Sequence, residues 1–239
     1  MTMDSVAVNI AVEGQSDVPI AMRLLELVGL LAGPPYVSRG KDKLDEKLNA
    51  YNHAAKHSRW LVLRDLDRDA PCAPELCRQL LPAPSAHMHL RIAVRASEAW
   101  LLGDQENLSR FLKVGTQHIP SEPDALDNPK RALIDVARLS RDRAIKEDMV
   151  PQEGTGTSVG PGYTARIIEF SSHHWEPLVA AQQSPSLRRC ILALQHWSGA
   201  RVIRSADSVA SAVRGASKSK RQPPATSDEK SRAPRTPKR

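Results

Sequence analysis

Aromatic residues are scarce in this chain of 239 residues, where Phe, Trp and Tyr together make up 4%. The core must therefore be built mainly from Leu, Ile, Val and Ala, and a surface that grips nucleic acid by stacking bases on rings is excluded as the main device. Any nucleic-acid contact should go mostly to backbone phosphates. Cysteine is sparse too: Cys72, Cys77 and Cys190 are an odd set, which fits reduced thiols better than a disulfide framework. No apolar run approaches the about 20 residues of a membrane-spanning helix. The N-terminus lacks a basic stretch followed by an apolar signal core, so the expected location is the cytoplasm. With 41% hydrophobic residues, the chain is long enough for one sizeable core, or a core with an appended helical part.

The formal charge of +7 invites a nucleic-acid reading until its position is considered. Ser217 to Arg239 holds eight basic residues against Asp228 and Glu229, leaving 26 basic and 25 acidic residues elsewhere. The folded part is thus close to neutral. The tail is rich in Ser, Pro, Lys and Arg with almost no large apolar residue, so it is expected to be disordered. It can add salt-sensitive, sequence-independent affinity for nucleic acid, or it can be a solubilising tail without a specific partner.

The first hundred residues alternate between strand and helix patterns. Ser5–Val12 reads as a strand buried on both faces and ends at Glu13-Gly14. Ser16 or Asp17 can cap a helix whose buried stripe runs from Ile20 to Leu31, stopped by Gly33-Pro34-Pro35. Tyr36-Val37-Ser38 reads as a short second strand, Leu44–His57 as a polar helix, and Trp60–Leu63 as a third strand running into Asp65. Pro74 opens a helix that ends near Leu81-Pro82, His89–Val94 reads as a fourth strand, and Ser97–Leu102 turns into helix. This alternation predicts right-handed crossovers and a small parallel α/β sheet of about four strands. Beyond Gly103 only short helical patterns follow, over 108–114, 129–139, 163–170, 175–182 and 186–197. The expected organisation is an α/β core over 1–103, a helical extension packed on it over 104–204, and the basic tail over 205–239.

Glu13, Asp65 and Asp67 carry the chemistry. In an open α/β sheet, ligands sit beyond the carboxyl ends of the strands, and these acids directly follow strand-like runs. Asp65 and Asp67 share one face if strand geometry continues through both. Carboxylates gathered there repel one another unless protonated or neutralised, and a hard divalent cation neutralises them. Magnesium is the expected ion, with manganese as its substitute. Lys41 and Arg39 lie after the second strand, where they can meet phosphate, and Arg91, Arg95 and Glu98 come from the fourth strand and the following helix. Glu98 can be a further ligand, orient Arg95, or form a structural salt bridge. The competing reading makes Glu13 and Asp17 a helix start, with Asp65, Asp67 and Asp69 a solvated acidic turn paired with Arg64 and Arg68.

Other patterns fail. Asp65-x-Asp67-x-Asp69 begins like a calcium loop, but Ala70 replaces the turn glycine and Leu76 stands where the bidentate glutamate belongs. His53 and His57 lack a third zinc ligand. Cys72 and Cys77 have the wrong spacing for a ribbon knuckle, and the glycines between Gly154 and Gly162 lack the lysine of a P-loop. His173 and His174 read as exposed residues beside a core Trp175.

Val12-Glu13-Gly14-Gln15-Ser16-Asp17, followed by Leu63-Arg64-Asp65-Leu66-Asp67, resembles the Toprim domain of topoisomerases, bacterial primases and overcoming-lysogenisation-defect nucleases. The resemblance assigns Glu13 to that domain's glutamate, Asp65 and Asp67 to its D-x-D pair, and Asp17 to a frequent acidic position. It implies magnesium binding by these acids, with proton transfer by the glutamate. Ser38-Arg39-Gly40-Lys41, Arg91–Arg95 and Glu98-Ala99-Trp100-Leu101-Leu102 more narrowly resemble a bacterial Toprim-like family associated with phage-defence ATPases, over about Val6 to Trp197. The resemblance implies a metal-dependent nuclease acting on DNA or RNA, with Lys41 or Arg95 balancing charge at the phosphate. Its alternative is a non-catalytic partner or regulatory subunit of an ATPase. A topoisomerase needs a tyrosine nucleophile, and Tyr36, Tyr51 and Tyr163 stand in no such context. A primase needs template-binding modules for which there is little room.

Overall fold

The structure, a computed structural model, describes residues 7–199; the basic tail and the first residues of the expected first strand lie outside them. Four strands, β1 (Val8–Val12), β2 (Ala32–Val37), β3 (Trp60–Asp65) and β4 (Met88–Ala93), form one parallel sheet in the order β2-β1-β3-β4. The chain moves outward from β1 to β2, then crosses back over β1 to β3. The strand order reverses between β1 and β3, so their carboxyl ends flank the topological switch point where open α/β sheets place their ligands.

Helices α1 (Asp17–Leu27), α2 (Lys41–Ala54) and α3 (Ala73–Leu80) make the crossovers. Alternation along the strands sorts the core into two layers. Ala11, Trp60, Val62, Leu90 and Ile92 pack against Leu44, Leu48 and Tyr51 of α2 and Leu76 of α3. Tyr51 stacks on Trp60 with ring centroids 4.7 Å apart, and Tyr36 joins from β2 at 5.2 Å. A chain poor in aromatics thus spends three of them on one cluster.

On the opposite face, α1 packs against α8 (Tyr163–His173) and α10 (Pro185–Ser198), and α10 also packs on β4. Between these lie α4 (Glu98–Leu102), α5 (Gln105–Leu112), α6 (Pro129–Arg138), α7 (Arg143–Met149) and α9 (Pro177–Ala180). All five residues of α4 are buried, and two tryptophans fasten it to the later helices. Trp100 Nε1 donates to Ser186 Oγ at 2.7 Å, and Trp175 Nε1 donates to the Trp100 carbonyl at 3.2 Å. Each burial satisfies the indole donor while removing a large apolar surface from water.

Several boundaries differ from the sequence expectations. α1 stops at Leu27 and turns at Gly29, whose φ is 72°, rather than running to Leu31. Gly33-Pro34-Pro35 does not stop a helix but lies inside β2. An edge strand tolerates prolines because part of its ladder has no partner to lose, and the pairing with β1 shifts register between Val8 and Ile10. α7 has no counterpart among the expected helices; its buried residues are Ile145 and Met149. Among the described residues no helix is long and apolar enough to cross a membrane.

Candidate active site

β1 ends at Val12, and Glu13 follows at the lip of the sheet. Its Oε1 accepts the backbone N–H of Asp65, the last residue of β3, at 2.8 Å. The two acids separated by 52 residues are thus tied across the switch point. Asp65 is fixed in turn, because its Oδ1 accepts the N–H of Ser97 at 2.8 Å. Asp17, at the start of α1, reaches back with Oδ2 to the N–H of Gly14 at 2.9 Å and accepts the Ser97 hydroxyl on Oδ1 at 2.8 Å. Ser97 therefore joins Asp17 and Asp65 from one residue. Glu98 comes next, buried at the start of α4.

Burial and neighbouring carboxylates raise the protonation of three of these acids. Burial pushes the Glu13 carboxyl up to about 7, against the pull of the Asp65 N–H and of Arg64. The Asp65 carboxyl stands well above the usual carboxylate range, first because it is buried and then because Asp17, Glu98 and Glu13 surround it. Asp17 is raised chiefly by burial as well. The site carries more negative charge than its fixed partners neutralise.

Asp67 behaves differently. β3 ends at Asp65, and Asp67 sits in the following turn with φ 48°, the left-handed region that Asp tolerates better than most residues. The condition under which Asp65 and Asp67 would share a strand face is not met. Asp67 Oδ2 instead pairs with Lys41 Nζ at 3.1 Å, and the same ammonium holds Asp69 at 2.8 Å. Lys41 itself opens α2 behind Gly40. Arg95 donates from Nη1 to the Asp67 carbonyl at 2.8 Å, so Glu98 does not orient it. Glu98 Oε1 accepts the Tyr163 hydroxyl at 2.9 Å and pairs with Lys130 Nζ at 3.5 Å. Arg91 lies farther along β4, outside this group. His53 and His57 are exposed, as are His173 and His174, whereas Trp175 is fully buried.

Sequence reasoning misses three contributors. It makes Arg64 a surface partner, but this residue is 4% exposed and reaches Asp45 at 2.9 Å, Asp69 at 2.6 Å and Glu13 at 3.8 Å. It lies on the α2 side of β3, opposite Asp65, and so holds the acidic turn from beneath. Lys130, on α6, and Tyr163, on α8, come from the helical half, and burial beside Glu98 raises the Tyr163 hydroxyl. The Asn128 cap and Pro129 mark the α6 start, the only sequence signal that draws attention to Lys130.

A cleft of about 430 Å³ opens over the site, with Asp65, Asp67, Lys41, Arg68, Arg95 and Lys130 on its wall. Glu13, Asp17 and Glu98 are not on that wall. Among the described residues, no three His, Cys, Asp or Glu side chains already form a metal shell. Magnesium does not require one, since it keeps several waters and takes one or two carboxylates plus substrate oxygens. The donor chemistry fits such an ion: Glu13 and Asp65 each have one oxygen anchored by a backbone N–H, and Asp65 and Asp67 both stand on the cleft wall. Comparison of the chain with protein-family profiles, with curated proteins and with solved structures returns no match. The fold and site define an α/β protein with a switch-point cleft lined by both carboxylates and cations.

Proposed function

We propose that the protein is a metal-dependent phosphodiester hydrolase of Toprim type, acting on nucleic acid. The observation that carries this reading is the cluster of carboxylates at the switch point, from which Asp65, with Asp67 and Asp69 of the next turn, reaches the wall of a cleft that also holds Lys41, Arg68, Arg95 and Lys130. Cations on the wall suit a phosphate, and acids beneath suit a divalent ion.

Asp65 and Asp67 would hold magnesium or manganese from the wall, with Glu13 supporting Asp65, and Asp17 and Glu98 completing the negative field. When bound, the ion neutralises these acids and polarises the phosphate. Arg95 and Lys130 hold the phosphodiester over Asp65, while Lys41 keeps Asp67 and Asp69 in place. A water attacks phosphorus in line and passes its proton to bulk solvent, and the bond to the leaving oxygen breaks as that oxygen takes a proton from bulk solvent. The cations offset the charge that builds on the phosphate oxygens.

The full chain incubated with labelled single- and double-stranded DNA and RNA, with magnesium or manganese, should cleave at least one of them. Asp65→Asn should lower the rate at least about a hundredfold while leaving the near-ultraviolet spectrum of the tryptophan core unchanged. Absence of cleavage even with an ATPase encoded beside it, together with a tight complex between the two, would replace this reading with that of a binding subunit.

A further inference from the structure

The cleft over the acids does not end there. It shares Arg95 and Asp127 with a second cavity of about 400 Å³, which in turn shares Ala73, Pro74 and Arg189 with a third of about 230 Å³. The shared walls set the three cavities in a row, here called the trough, from the switch point past the N-terminus of α3 to the outer edge of β4 between α3 and α10. Arg91 of β4 and Arg189 of α10 line its far end.

Four guanidiniums beside it have no carboxylate partner: among the described residues Arg68, Arg91, Arg95 and Arg189 form no ion pair with a carboxylate. Of the acids beside them, Asp67 and Asp69 pair with Lys41, and Asp124 accepts the Ser184 hydroxyl at 2.6 Å and the Ser186 N–H at 2.8 Å, while Asp127 on the shared wall forms no ion pair among the described residues. Arg91 is the sharpest case. Its Nε is buried without a hydrogen-bond partner, and its Nη2 meets His89 Nδ1 at 3.3 Å. Burial holds that histidine down at about 4, so the ring is neutral and leaves the guanidinium charge unbalanced. A buried donor without a partner calls for an acceptor from outside.

We propose that this trough is the seat of a single-stranded polynucleotide, whose successive phosphates meet Arg95, Arg189 and Arg91 on one side of the bond held over Asp65. A repeated anion matches a row of separate guanidiniums, and the trough walls carry no aromatic ring, so recognition is by backbone and tolerant of sequence. A duplex, stiff over about 150 base pairs, cannot follow three successive cavities or put a phosphate on the half-buried Arg91. A flexible single strand can. This inference rests on the hydrolase reading only for where the bond is cut.

Binding of 5′-labelled oligothymidylates and oligouridylates of 3 and 20 nucleotides to the full chain, followed by fluorescence anisotropy in EDTA, separates the two proposals because no cleavage is required. The longer oligomer should bind far more tightly than the shorter. Arg189→Glu, at an exposed position, should weaken the 20-mer about tenfold and reduce its salt dependence by about 0.7 in log–log slope for each phosphate no longer neutralised, while leaving the trimer unchanged. Arg91→Gln, checked for folding by its urea midpoint, should act in the same direction. Arg188→Glu makes the same charge change next door but off the trough wall, and should have little effect. The trough is overturned if Arg188→Glu weakens the 20-mer as much as Arg189→Glu, if neither trough variant weakens it, or if a duplex of equal length binds more tightly. Cleavage with indifferent trough variants sinks the trough alone; trough-dependent binding without cleavage in magnesium or manganese sinks the hydrolase alone.

Discussion

Replacing Glu13 by Gln should stabilise the metal-free protein at pH 8 and barely change it at pH 4 to 5. Gln retains the acceptor that meets the Asp65 N–H but cannot ionise. The Glu13 carboxyl, ordinarily near 4.5, is pushed up to about 7 in the fold by burial. Between those values the folded protein binds more protons than the unfolded chain. This carboxyl therefore favours folding most below pH 4.5, and that contribution is lost as pH rises toward and past 7. The difference of about 2.5 pH units corresponds to roughly 3 kcal/mol, most of which is lost between pH 5 and pH 8. Because the Glu13 side chain remains 16% exposed and the new amide needs its own partner, an observed gain of about 1 to 2 kcal/mol at pH 8 is expected. Urea unfolding in EDTA, followed through the buried tryptophans, measures it. Magnesium should then narrow or reverse the difference, since only the carboxylate gains from the cation. A Glu13→Gln protein that is less stable than the parent at pH 8 in EDTA, or equally shifted at pH 5 and pH 8, would refute the claim that desolvation of this acid dominates its energetics.

Tyr163→Phe removes the hydroxyl that donates to buried Glu98 and should cost about 1 to 3 kcal/mol of stability, read as a lower urea midpoint. Any loss of cleavage should accompany that loss of stability and recover where the variant is fully folded. Gly103→Ala would place a Cβ 2.7 Å from the Ala180 carbonyl oxygen; backbone against backbone cannot yield cheaply, so the thermal midpoint should fall by an amount equivalent to about 1 to 3 kcal/mol.

Much of the sheet was legible because a β-branched apolar run that stops at an acid is a strong local signal. Val8–Val12 ending at Glu13 and Trp60–Leu63 leading into Asp65 are such runs, and their ends do meet across the switch point. The turn at Asp67 was not legible. Leu66 continues the apolar pattern, and nothing in the composition announces the left-handed backbone that sends the Asp67 side chain to Lys41. Arg64 was misplaced for a related reason: a charged residue next to aspartates usually belongs to the surface, and only the alternation of a fully covered strand puts it beneath them. Lys130 and Tyr163 lie 32 and 65 residues beyond Glu98 in sequence, so their convergence depends on tertiary packing. The missed helix α7 has the weakest pattern, with Ile145 and Met149 one turn apart and charge between them.

The prolines of β2 reach beyond their own turn of chain. Pro34 and Pro35 offer no N–H on the outermost strand, whose residues around them are exposed, so a strand arriving there from another molecule would find a broken ladder. Growth of the sheet on that side is discouraged. Strand addition is thereby turned away from β2, and the sheet's other edge, β4, is the one beside the polymer proposed above.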